Sequence, residues 1–270
     1  KYTAAQPVKP VFAKRKMWGG MIAFCLAVME LFPMTIPCSM QFSSCFYIST
    51  LALIGLLWKY EKLEEKGGLG FYFCGIGMMT SYLDFLTYPV VTIGIPVIVF
   101  VVLCPKKWFD CIKEVIIYGI SWACGYVGMW IGKWVIGTLV VGENLFADAV
   151  GSVKLRTSGS TDYMDLRISD VIGRNMDVLN NAYGKRIVIA GLAVVAIALV
   201  VTAALRKTID YKKVSLLIML SLLPMVWYCG TANHSYIHYW YTFRDLSVTV
   251  FAVTMIPEML VQSMKAEKKE

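Results

Sequence analysis

Apolar residues in this chain come in unbroken blocks, and polar residues collect between the blocks. A block of about 20 residues, rising 1.5 Å per residue as a helix, reaches across a hydrocarbon core of about 30 Å. On that measure the pattern predicts eight helices, over 17–36, 42–58, 69–87, 89–104, 112–137, 186–205, 214–232 and 245–262. The blocks do not alternate apolar with polar positions, which excludes a closed β-barrel. The expected fold is all-α: a polytopic transmembrane helical bundle of about eight spans.

The connections carry an orientation. Lys9, Lys14, Arg15 and Lys16 precede the first helix, and Lys59, Lys62 and Lys66 follow the second. Lys106, Lys107 and Lys113 follow the fourth, and Arg206, Lys207, Lys212 and Lys213 follow the sixth. Lys265, Lys268 and Lys269 close the chain. Every second connection is therefore basic, which places that side and both termini in the cytoplasm of a multi-pass cell-membrane protein. The opposite side receives short connections near 37–41, 84–89 and 233–244, and one long one, 138–185. The chain divides into helices one to five (1–137), the long extracytoplasmic loop (138–185), and helices six to eight with a cytoplasmic tail (186–270), all in one membrane domain.

The long loop has a helical period. Leu145, Phe146, Ala149, Val150 and Val153 share one face, and Met164, Ile168, Val171, Ile172, Met176 and Leu179 share another. The SGST run at 158–161 separates the two, and Thr161 or Asp162 suits the N-cap of the second helix. Asp170, Arg174 and Asp177 stand at helical pairing distances. Two amphipathic helices on the outer surface are expected, either membrane-lying or forming a small cap over the bundle.

Composition sharpens this picture. Hydrophobic residues make up 58% and charged residues 16%, well outside the soluble average. The net charge of +8 does not indicate nucleic acid, because the basic residues mark one side of the spans. Of the eight cysteines, most fall in or beside apolar blocks, where a free thiol acts as a small hydrophobe. Cys38 and Cys45 are the pair that could bridge in an oxidising compartment. The chain opens on Lys1 without a cleavable leader pattern, so it is expected to be the C-terminal part of a longer protein.

Ionisable groups within membrane-length blocks are candidates for function, and Glu30, Asp84 and Glu258 qualify. Asp84 lies in TSYLDFLTYP, at an outer helix end just ahead of Pro89. The second candidate region is NHSYIHYWYTFR, 233–244, which holds both histidines of the chain. His234 and His238 are four apart, a spacing that can hold a metal, but Ser235 stands where a zinc protease needs Glu. No metal site is assigned; a divalent cation remains possible and no other cofactor is implied. Tyr236, Trp240 and neighbouring rings can stack on a sugar, and the Arg244 fork suits a phosphate. On the fifth helix, Gly128 and Gly132 form a GxxxG pair for close packing, and Lys133 can snorkel outward.

The stretches GIGMMTSYLDFLTYPVVTIGIPVIVF (75–100) and NHSYIHYWYTFR resemble bacterial multi-pass proteins related to GT-C membrane glycosyltransferases. The resemblance implies a sugar taken from a polyprenyl-phosphate carrier and passed to a cell-envelope glycan acceptor outside the membrane. It implies that Asp84, His234, His238 and Arg244 line the cavity that receives the carrier phosphate and sugar; the residues themselves make Asp84 the expected catalytic group and His234, Tyr236, His238, Trp240 and Arg244 the expected substrate-binding groups. The class carries an acidic motif in its first outer loop, and residues 33–45 contain no Asp or Glu. An upstream segment would have to supply it. The rival expectations are a transporter or flippase of a lipid-linked or anionic substrate, and a non-catalytic membrane assembly subunit.

Overall fold

The structure, a computed structural model, describes residues 18–30, 40–178, 182–204 and 211–260. Among these residues the only β-pairing is a single antiparallel bridge between Ser160 and Asp165. The rest of the regular structure is helical, as expected for an all-α chain. In order it comprises α1 (Trp18–Glu30), α2 (Met40–Glu65), α3 (Leu69–Leu83), α4 (Val90–Leu103) and α5 (Trp108–Val141). Two loop helices follow, α6 (Leu145–Thr157) and α7 (Ile168–Asp177). Next come α8 (Ala182–Ala204), α9 (Tyr211–Ser221), α10 (Leu223–Gly230), α11 (Ala232–Ile237) and α12 (Tyr239–Thr242). A 3₁₀ turn, Phe243–Asp245, leads into α13 (Leu246–Thr254).

Each of the eight anticipated helices overlaps an observed one, but eight spans are not observed. Among the described residues, two continuous helices are long and apolar enough to cross a membrane: Trp108–Val141 and Tyr211–Gly230. The reason lies in helix length. With 15 and 14 residues, α3 and α4 reach about 21–23 Å at 1.5 Å per residue, short of a full hydrocarbon core. Residues 84–87, assigned by pattern to the third helix, leave the helix because the Asp84 side chain takes the Thr87 amide. In the long loop, the second helix starts at Ile168 rather than near Thr161. Arg167 is its N-cap and Asp170 accepts the Arg167 amide, while Thr161 closes a turn with Met164.

At the centre stands α4, every residue of which is buried. It packs against α2, α3, α5, α9 and α13. The longest seam runs between α3 and α5, and two glycines on different helices make it. A Cβ on Gly77 would overlap the Trp122 carbonyl oxygen, and one on Gly125 would overlap that of Cys74. The GxxxG pair plays no such part: Gly128 and Gly132 face open space among the described residues.

Outward faces are apolar. On α5 these include Ile120, Ile136, Leu139 and Val140, and on α3 Phe71 and Met79. Meanwhile Thr80, Thr92, Asp84, Arg244 and Asp245 are buried. This reverses the usual arrangement of a protein in water, whose charged side chains seldom lie inside.

Candidate functional site

The C-terminal end of α3 creates the site. The Asp84 amide still bonds the Thr80 carbonyl at 2.8 Å, but its side chain caps the turn that follows. One carboxylate oxygen accepts from the Thr87 amide at 2.9 Å, and the other accepts from the Thr87 hydroxyl. The buried Cys45 thiol on α2 bonds the same carboxylate. Burial pushes the Asp84 carboxyl above the usual carboxylate range, while the bonds from Thr87 pull the other way. Within this turn Leu86 has φ of 64°, a left-handed conformation that costs a branched residue roughly 1–3 kcal/mol. That twist turns the Leu86 carbonyl toward His234.

His234 Nε2 lies 2.7 Å from the Leu86 oxygen. A carbonyl can only accept, so Nε2 carries a proton, and in the neutral ring Nδ1 is then the acceptor. Burial lowers the His234 pKa to about 4, opposed by the bond to Leu86. His238 sits next to it, the ring centroids 4.8 Å apart, and stacks on Tyr241 at 5.2 Å. Burial and, behind it, the charge of Arg156 lower His238 as well.

From the far end of the chain, Asp245 completes this frame. Its Oδ1 accepts the Val90 amide at 3.1 Å and so meets an orphan donor at the start of α4. Its Oδ2 is buried without a hydrogen-bond partner among the described residues. The Asp84 charge acts on Asp245, which places two carboxylates in one buried neighbourhood. Below them Thr80, Thr92 and the Trp122 indole form a chain of bonds at 2.9 and 3.1 Å.

An open cleft of about 320 Å³ borders this frame, between the 84–86 turn, α5 and α6. Asp84 reaches its wall beside Lys133 and Arg156, with Trp130 and Trp134 on the α5 side. Lys133 Nζ donates to the Ser81 carbonyl at 2.6 Å, which fixes the ammonium near the end of α3. Arg156 makes no hydrogen bond or ion pair among the described residues. The two indoles lie 6.1 Å apart along the helix. A carboxylate, two cations and two flat apolar faces thus meet in one concave space, a donor set suited to a phosphorylated, ring-bearing ligand.

The anticipated residues divide into groups. His234 joins Asp84 through Leu86, so the two share one end of the molecule. Arg244 is 3% exposed, donates to the Trp240 carbonyl at 3.0 Å and lies over the Phe243 ring, away from the cleft wall. Tyr236 packs against the loop, where the Arg174 guanidinium stands 4.3 Å from its ring and 4.4 Å from that of Tyr239. Arg174 was expected to work through helical ion pairs. Trp240 is half exposed and edge-on to His238. Asn175 ties α7 to the Ser235 carbonyl, and Asn233 bonds the Ser160 carbonyl, so the loop is a folded cap seated on the histidine segment.

Glu258 is buried and accepts the Gly20 amide of α1 at 3.3 Å. The Glu30 side chain and Cys38 lie outside the described residues. Sequence reading missed Asp245, Arg156 and the indoles; only the Asp-x-x-Thr turn at 84–87 had a local signal. Among the described residues no three His, Cys, Asp or Glu side chains gather as a metal site. Comparison with protein-family models, curated proteins and solved structures gave no match for this chain.

Proposed function

We propose that the chain is a multi-pass membrane protein and the working part of a glycosyltransferase that uses a lipid-linked sugar donor. Two candidate spans and an apolar exterior around buried charge support the membrane reading. The observation that carries the transfer reading is the cleft in which Asp84, Lys133, Arg156, Trp130 and Trp134 converge. A carboxyl raised by burial is suited to take a proton at neutral pH. Asp84 would take it from an acceptor hydroxyl as that oxygen bonds the sugar carbon. The bond from that carbon to the carrier phosphate breaks, and Lys133 and Arg156 offset the charge left on the phosphate. The indoles hold the sugar ring, and the neutral His234 keeps the 84–87 turn in place.

The test is glycan transfer by membranes carrying Asp84→Asn or Arg156→Ala chains at matched expression. Loss of on the order of 10²-fold is expected for Asp84→Asn. For Arg156→Ala a rise in the donor concentration needed is expected. Undiminished transfer by a well-expressed Asp84→Asn variant rejects the mechanism.

A further inference from the structure

The other end of α4 carries a second cleft, larger than the first. It measures about 700 Å³ and opens between the α4–α5 connection and the start of α9. Lysines surround it. Lys106 is neutralised by Glu64 at 3.1 Å and by Glu114. Lys213 donates to the Cys104 carbonyl at 2.8 Å, which anchors its ammonium at the wall. Lys107 and Lys212 are exposed, and their ammonium groups make no hydrogen bond or ion pair among the described residues. They are the uncompensated charge of the cleft.

Aromatic rings accompany that charge. Phe109 and Tyr211 are 78% and 72% exposed at its rim. Trp108 sits between them and the core, its indole donating to Ser215 at 3.2 Å, which pins α5 to α9 across the cleft floor. Exposed rings beside free ammonium groups at the end of apolar helices match the headgroup layer of a bilayer, where rings sit among carbonyls and lysines meet phosphates. A water-facing basic cleft has no need of a large exposed Phe and Tyr at its edge.

We infer that this cleft binds the phosphate headgroup of an anionic membrane lipid, with Lys107 and Lys212 as its cations and Phe109 and Tyr211 seated in the adjoining acyl boundary. The inference rests on the membrane part of the function proposed above and not on its transfer chemistry. The ligand chemistry is a phosphate diester with an acyl anchor; free phosphate shares the first element and lacks the second.

The experiment uses the full chain in detergent micelles, titrated with phosphatidylglycerol, phosphatidylcholine or inorganic phosphate and read by native mass spectrometry. Preferential retention of phosphatidylglycerol is expected. The Lys107→Ala/Lys212→Ala double variant should lose about fivefold per lysine, on the order of 25-fold together. Lys107→Arg/Lys212→Arg, which keeps both charges, should restore the preference and controls for misfolding. Equal retention of the two lipids overturns the inference, as does a double variant with unchanged preference. Inorganic phosphate competing as well as the lipid overturns the lipid assignment. Failure of the chain to partition into membranes defeats the membrane reading itself, and a chain that partitions without lipid preference defeats only this inference.

Discussion

At the Asp84 end of α4 three ionisable side chains are inside, and each answers to backbone: Asp84 to Thr87, Asp245 to Val90, His234 to Leu86. At the Lys107 end the two uncompensated lysines are outside, and their ammonium groups have no partner among the described residues. The first arrangement carries a desolvation cost, and it stands because partners meet most of the buried polar atoms. The second costs almost nothing, since an exposed ammonium keeps its water. One end should therefore be rigid, pH-sensitive and intolerant of substitution, and the other mobile in its side chains and tolerant.

The largest effect that can break this contrast is acid sensitivity at the first end. A folded His234 pKa near 4, against about 6.5 when unfolded, means that the unfolded chain binds the proton first. Stability should therefore fall as pH drops from about 6.5 to about 4, by on the order of 3 kcal/mol, and level off below that. Asp84 works against this trend, because a raised carboxyl holds its proton better in the folded state. In detergent melts, His234→Gln should flatten or reverse the acid slope. If the variant kept the full acid loss, the imidazole would not be its source.

Next in size is the cap on α4. Asp245→Ala strands the Val90 amide in a buried place and should cost roughly 1–3 kcal/mol, whereas Asp245→Asn keeps an acceptor and should recover much of it. Equal melting of the two variants would remove Asp245 from the frame. The smallest expected change sharpens the comparison from the other side. Lys107→Ala and Lys212→Ala should each shift stability by no more than about 0.5 kcal/mol in lipid-free detergent. A loss matching that of Asp245→Ala would show that the two ends are built alike.

Much of this fold was legible from apolar block length, because burial against neighbours and burial in hydrocarbon demand the same kind of run. That identity is also why block length alone does not fix the number of spans: α4 is an apolar block and at the same time buried along its whole length in the protein's own core. Sequence parity placed Asp84 and His234 on one side, and the Leu86 bond joins them. Asp245 stayed hidden at the edge of an apolar run, its partner 155 residues away. Arg156 and Lys133 belong to different helices, and only packing of α6 on α5 brings them to one wall. In the same way GxxxG drew attention as a local pattern, whereas the real close approach pairs Gly77 with Gly125 across two helices.

The bond from Val90 to Asp245 also constrains synthesis. A ribosome adding about 5–20 residues per second needs roughly 8–30 s to travel from one to the other. For that interval the nascent central helix has its leading amide unmet, and its placement must stay provisional until the closing segment emerges. A messenger cut short before the codon for Asp245 would yield a chain whose middle was made but never locked, a natural target for proteases.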